Sequence, residues 1–404
     1  MKILDKTLVL LILMGLTFSM QAQEDSIVKP SITISGYADA YYNLSFNAPG
    51  VGPQLWGPAA GARAFDINNN QFSLGAIQGK VTYDFKNIEV VGDFLAGPNT
   101  SLATLLFFPS SSIGNGLLGG GSFGIKQLYG VWKASDKVSF TIGQFGTHIG
   151  YEVIEPYINF NYSLSNLFNN GPFFHTGLKM NYAISDKVGL MLGLVNSWDN
   201  FDDNNGFKSP VVQLSLMPVE GMSIYLNYLT GKGDQAGSIT IGDALEGASK
   251  PNGFNTSIYD LTAAYAIGKV NLGVNAAYGI YKATDSSLKT KFKAITSGEK
   301  DNPTWGGIAG YFNVAATDEF SIGARVEQFN DFYGVRYIGA KNTSVTITGS
   351  ISIADGSLLL KPELRFDSST GKNNVNGHTD LYFGKDGKTE ASQTTLGMSA
   401  IFKF

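Results

Sequence analysis

Cysteine is absent from all 404 residues, which excludes a disulfide framework, thiolate metal sites and a cysteine-linked lipid anchor. Histidine occurs three times, as His148, His175 and His378, with neither the spacing of a metal site nor a helix to carry HExxH. Charge is sparse at 15%, although aromatics reach 12% and glycine numbers 49. A long chain with so few charges must turn much of its surface toward something other than water. Yet past the leader no run approaches the roughly 20 consecutive apolar residues of a membrane helix. Alternating strands reconcile the two, because only every second residue then meets lipid. Setting aside Lys2, Asp5 and Lys6 of the leader leaves 27 basic against 32 acidic residues, no footprint for nucleic acid, which is not expected as a partner.

Residues 1–22 carry Lys2 and Lys6, then the apolar run from Leu8 to Met14, then a stretch ending at Ala22, the layout of a cleaved secretory signal peptide. Residues 23–404 are then expected to form one β-barrel domain. The stretch Gln393 to Phe404 places Leu396, Met398, Ala400, Phe402 and Phe404 on one face, and Thr395, Gly397, Ser399, Ile401 and Lys403 on the other. It calls for a partner edge. Ile32 to Asn43 supplies one, with Ile32, Ile34, Ala38, Ala40 and Tyr42 alternating against Thr33, Ser35, Tyr37, Asp39 and Tyr41.

Between these ends, short turns alternate with long loops. The turns fall at Lys86-Asn87, Ser135–Lys137, Ser185–Lys187, Pro218–Gly221, Gly268-Lys269, Thr317–Glu319 and Ala354–Ser357. Long segments rich in Gly, Asn, Asp and Ser lie near 44–70, 98–122, 149–172, 198–207, 232–253, 283–304, 331–342 and 368–392. Seven turns and eight loops predict an all-β, transmembrane, antiparallel up-and-down barrel of about 16 strands, both termini on the short-turn side. A charge on the lipid face near mid-bilayer costs roughly 2–4 kcal/mol, so Lys179 and Arg325 mark the faces that point inward. Two places disturb the pattern: a phase change near Ala76 and Ile77, expected as a β-bulge, and Pro362 inside the strand Leu358 to Phe366. Tyr151, Trp198, Trp305 and Phe404, near strand ends, are expected to mark the membrane interface.

Several motifs imitate catalytic or binding chemistry. Gly114–Gly119 matches the dinucleotide fingerprint and Gly120–Gly124 the nucleophile elbow, but both need a helix next, and here the chain runs on into the strand Ile125 to Lys133. Asp199 to Gly206 has the composition of a calcium loop, yet aligning Gly206 puts Phe201 and Val212 at ligand positions. No catalytic residue, cofactor or metal site is expected. A lipid hydrolase would need Ser, His and a polar orienter converging across strands.

More specific residues surround the third loop: Gly143 to Glu152, Asn159 to Ser163, Leu167-Phe168 and Pro172 to Gly177. Together with Ser35 to Tyr41 and Phe404, they make the chain resemble the β-barrel porin family of OmpL-like outer-membrane proteins. The resemblance implies a pore in the outer membrane of a Gram-negative-type envelope, passing small hydrophilic solutes or ions. It also implies that Phe404 is a recognition element for the barrel-insertion machinery. Lipid and lipopolysaccharide would surround the wall, and a homo-oligomer is open. A barrel of about 16 strands is wide enough for water. By analogy with porins in general, the third loop, with Asn159, Asn161, Asn166, Asn169 and Asn170, would fold inward. The expected constriction is Glu152 and Glu155 from that loop, with Asp39, Lys179, Arg325, Glu327, Lys361 and Arg365 on the inner wall; these charges either select ions or pair with one another to hold wall and loop. The alternative is a plugged or structural barrel serving binding or assembly.

Overall fold

The structure, a computed structural model, describes residues 29–404 except 49, 57–62, 101–121, 204, 233–253, 285, 287–288, 291–292, 294–300, 335, 337, 371–379 and 386–387. The expected signal peptide, His378 and Gly114–Gly119 lie outside the described residues. Among the described residues eighteen strands follow in chain order: β1 (Ser31–Ser45), β2 (Gln71–Phe85), β3 (Ile88–Gly97), β4 (Ser122–Lys133), β5 (Val138–Gly146), β6 (Phe174–Ser185), β7 (Val188–Val195), β8 (Ser209–Leu216) and β9 (Met222–Lys232). Then come β10 (Phe254–Ile267), β11 (Val270–Ala283), β12 (Thr304–Ala315), β13 (Phe320–Asn330), β14 (Lys341–Ile353), β15 (Leu358–Thr370), β16 (Tyr382–Phe383), β17 (Thr389–Glu390) and β18 (Ser392–Lys403). Sixteen of these close into one antiparallel barrel, while β16 and β17 pair separately. Among the described residues no helix is long and apolar enough to cross a membrane.

Closure is made by β1 against β18, in register from Tyr37 opposite Lys403 to Ser45 opposite Thr395. With no edge left, every barrel strand finds ladder partners on both sides, which a hydrocarbon environment demands. All seven short turns, and the strand ends that bound all eight long segments, fall where the sequence placed them. Turn chemistry explains the short side: Lys86, Ala354 and Asp355 adopt positive φ near 53°, and Gly268 sits at 57°. Alternation sets the faces. Leu396, Met398, Phe402 and Phe404 are exposed, whereas Gln393, Thr395, Ser399 and Ile401 are buried inside.

The phase change in β2 is a bulge. Ala38 pairs with Ile77 and Ala40 with Leu74, so Gly75 and Ala76 together oppose Asp39. The Ala76 N–H donates to Asp39 Oδ1 at 2.7 Å, and a Cβ at position 75 would lie 2.1 Å from Asp39 Oδ2. A side chain there would have to displace the Asp39 carboxylate from its hydrogen bond. At Pro362 the pairing with β14 passes directly from Thr348 opposite Glu363 to Ile351 opposite Leu360. The neighbouring Gly349 leaves room for the ring, since a Cβ there would come within 3.3 Å of Pro362 Cγ.

Three of the four expected interface aromatics face the other way. Trp198 and Trp305 are buried with their rings edge to face at 6.0 Å, and Tyr151 stacks on Tyr311 at 4.4 Å. Trp305 shares the inward phase of Ala309 and Tyr311, and its indole lies over Gly279 directly opposite, where a Cβ would sit 2.2 Å from the ring. Proximity to a strand end does not decide a face; alternation does. Exposed aromatics on the turn side include Trp132, Tyr182, Phe320 and Phe404.

Candidate functional site

Residues 147–173, the third long loop (L3), leave β5 and fold into the barrel before returning to β6. The neck is held by the Thr147 N–H donating to the Phe173 carbonyl at 3.1 Å and by His175, whose ring nitrogens meet Thr147 Oγ1 and the Ser197 carbonyl, each at 2.9 Å. Burial, with His175 alongside, drives His148 down to about 3, so its ring is neutral. The Gly150 N–H then donates to Asp260 on β10 at 3.1 Å, from a backbone at φ +95° that suits glycine.

Beyond this point the loop is strapped to the opposite wall. Arg325 on β13 donates to Glu152 at 2.7 Å and to the Ser163 carbonyl at 2.6 Å. Lys361 on β15 donates to the carbonyls of Pro156 and Asn159 at 2.7 and 2.5 Å. Glu363 accepts the Tyr162 N–H at 2.8 Å, and Arg365 donates to the Leu164 carbonyl at 2.9 Å. Tyr162 donates its hydroxyl to Asp39 on β1 at 2.6 Å. Ser165 caps a single helical turn, α1 (Asn166–Asn169), and the Asn166 N–H donates to Glu327 at 2.8 Å.

Wall and loop charges thus form one alternating ladder, Glu152–Arg325–Glu327–Arg365–Asp367, with successive separations of 2.7, 3.6, 3.8 and 2.8 Å. Every member is buried, so each ion depends on its neighbours to offset lost hydration. Glu155 lies on the other side of the loop, paired with Lys126 of β4 and bonded by Gln78 at 3.0 Å. Burial pushes its carboxyl up, but the Lys126 ammonium outweighs that and holds it below the usual range.

Of the eight expected constriction residues, seven meet at L3: Glu152, Glu155, Asp39, Arg325, Glu327, Lys361 and Arg365. Lys179 does not. Its ammonium lies 4.3 Å from the centre of the Phe145 ring. The loop amides are also engaged, Asn159 with Val153, Asn161 with Thr348, and Asn170 with the Asn166 carbonyl. Five participants escaped the sequence reading: Lys126, Asp93, Asp260, Glu363 and Asp367. Lys126 and Asp93 meet through a bulge, because Asp93 pairs with Gln127 and Phe94 with Ile125, leaving Lys126 as the extra residue on β4. Both Lys126 and Gln127 then reach Asp93, at 3.5 and 2.9 Å. A lysine inside a strand was the available signal, the same one that marked Lys179.

Strapping L3 to one wall leaves space along the other. A cavity of about 510 Å³ runs from Ser223 and Ala264, near the short turns, to Gly146 and Phe174 at the loop ends of β5 and β6. Above L3 the outer lumen holds an apolar cluster that includes Trp198, Trp305, Phe329, Ile338 and Tyr382. Ser122–Gly124 of the glycine-serine motif open β4, Gly120 and Gly121 lying outside the described residues, and Asp203, in the acidic loop, accepts the backbone N–H groups of Asn205 and Gly206. Among the described residues no group of three or more His, Asp or Glu could hold a metal ion.

A family model described as "Putative beta-barrel porin-2, OmpL-like" matches residues 31–404. Among solved structures, the trimer form of OmpT, an outer-membrane protein of Vibrio cholerae, is similar at TM-score 0.55 and 12% identity, over 93% of this chain and 99% of that one. The outer-membrane channel DcaP of Acinetobacter baumannii gives 0.55 at 10% identity over 95% and 100% of the two chains. An anion-selective porin from Comamonas acidovorans gives 0.56 at 11% identity over 93% and 100%. No curated protein matches the chain.

Proposed function

The chain belongs to the OmpL-like beta-barrel porin-2 family, and from that membership we propose that it forms a water-filled channel for passive diffusion of small hydrophilic solutes across the outer membrane. The observation that supports it is the cavity of about 510 Å³ beside L3, lined by residues from Ser223 and Ala264 to Gly146 and Phe174. L3 is the constriction, and the ladder from Glu152 to Asp367 holds it in place. In this reading Arg325, Glu327, Lys361, Arg365 and Asp39 position the loop, while Glu152 and Glu155 border the passage. Lipid and lipopolysaccharide surround the apolar band, and the barrel-insertion machinery handles the closing strand. Association into a homo-oligomer is consistent with the trimer form of the Vibrio cholerae protein. Family and fold speak for a channel rather than an enzyme.

A second reading, a plugged barrel that binds or assembles, is favoured by the apolar cluster above L3. Recording the refolded protein in planar bilayers separates the two. Discrete conductance steps are the expected result; a correctly inserted barrel that never conducts would overturn the channel. Unchanged reversal potential and conductance in Lys179→Ala and Glu152→Ala channels would remove these residues from any selectivity role.

A further inference from the structure

The passage beside L3 has two unlike walls. On the strand side stand Tyr225 and Thr262, uncharged hydroxyls, with Gln127 and Gln213, whose amide N–H groups are already given to Asp93 and to the His148 carbonyl and Asn227. On the loop side stand Ile149, Ile154, Ile158 and Phe168. Ile158 is 58% exposed, although the loop that carries it is folded into the barrel. An apolar surface held open in this position gives a passing ion nothing to replace its hydration.

The charges that reach the passage are already answered by others. Lys126 and Glu155 pair, with side chains only 8% and 13% exposed, and Asp93 lies 3.5 Å behind the ammonium. Glu152 is committed to Arg325 and to the Ser165 N–H at 2.8 Å. His148 carries no charge. Two bases, Lys126 and Arg325, thus face three acids, Asp93, Glu152 and Glu155, leaving one net negative charge, and all five side chains are buried or nearly so and held in pairs, which weakens their field in the passage. Such a channel gives an ion of either sign little reward for entering.

An uncharged solute with hydroxyls on one side and carbon–hydrogen surface on the other fits both walls at once. Its hydroxyls exchange water for the Tyr225 and Thr262 hydroxyls and the Gln213 carbonyl, and its apolar side lies on the loop. The space is ample, since cavities of roughly 300–1,000 Å³ hold ligands well above monosaccharide size and this one measures about 510 Å³. Resting on the porin reading, we propose that the passage favours uncharged, polyhydroxylated solutes of the sugar or polyol class over ions. We further propose that Lys126, by offsetting one of the two negative charges of Glu155 and Asp93, is the residue that keeps its ion preference low. The bulge in β4 makes this possible by turning two consecutive side chains toward Asp93.

Two measurements on the full-length refolded protein test the proposal: liposome swelling with a neutral pentose against glutamate and lysine, and potassium/chloride reversal potentials in planar bilayers. The pentose should enter several-fold faster than either amino acid. Lys126→Gln leaves two acids unanswered and should raise the cation-to-anion permeability ratio by roughly tenfold, the equivalent of about 1.4 kcal/mol. Glu155→Gln should shift the ratio the opposite way, which keeps the test decisive if Lys126→Gln does not insert. Equal or faster entry of the charged amino acids, or unmoved reversal potentials in inserted variants, would overturn the proposal while leaving the channel itself intact. Absence of both swelling and conductance would overturn the channel reading and this one with it.

Discussion

Replacing Arg325 by alanine should loosen L3 without opening the barrel wall. The guanidinium is fully buried, holds Glu152 at 2.7 Å and the Ser163 carbonyl at 2.6 Å, and lies 3.6 Å from Glu327. Removing one partner of a buried ion pair costs about 3–5 kcal/mol, because the remaining charges stay desolvated and unpaired. At about 1.4 kcal/mol per tenfold, the ratio of docked to undocked loop should fall by roughly two to nearly four powers of ten. The straps from Lys361, Glu363 and Arg365 remain. Arg325→Ala alone should therefore produce a flickering current of raised mean conductance, and adding Lys361→Ala should bring the channel close to its unobstructed level. Single-channel recording reads both, and heat-modifiable gel mobility confirms that the barrel still closes. An inserted Arg325→Ala channel with quiet current at wild-type conductance would refute the claim that this ladder holds the loop.

Deleting Phe404 should impair insertion more than it changes the conductance of barrels that do insert. Its backbone exchanges hydrogen bonds with Gly36 at 3.0 and 3.1 Å while its ring is 70% exposed on the lipid side; normal surface assembly of the truncated chain would count against this. The loop 331–340 should dock more tightly as pH falls. Asp331, which accepts N–H groups from Arg336 and Ile338 at 2.9 and 3.0 Å, is pushed by burial from 3.8 to about 7 despite those donors and the Arg336 charge. The docked loop thus binds a proton that the free loop releases above about 4, so its docking advantage is full below that value and is lost as pH rises through about 7. Amide exchange at Ile338 and Gly339, corrected for intrinsic rate, should show this dependence, with a flat profile in Asp331→Asn. Protection that grows with rising pH would contradict it.

The strand count, the loop asymmetry, the closing pair and the inward face were all legible in the chain, because a membrane barrel writes its geometry locally. Period-two alternation and turn residues are properties of adjacent positions, and Lys179 and Arg325 could fix the phase since a charge facing lipid is so costly. Even the bulge at Gly75-Ala76 showed as a slip of phase. Its cause, the Asp39 carboxylate held between two strands, did not. What only the tertiary structure decided is which charges meet. Arg325 and Glu152 are separated by 173 positions, and Lys361 reaches carbonyls 205 and 202 positions away, through a loop whose path no local pattern encodes. The same holds for Trp198 and Trp305, which sequence position assigned to the interface and packing placed inside. Local periodicity determined the wall; long-range desolvation and pairing determined what lies within it.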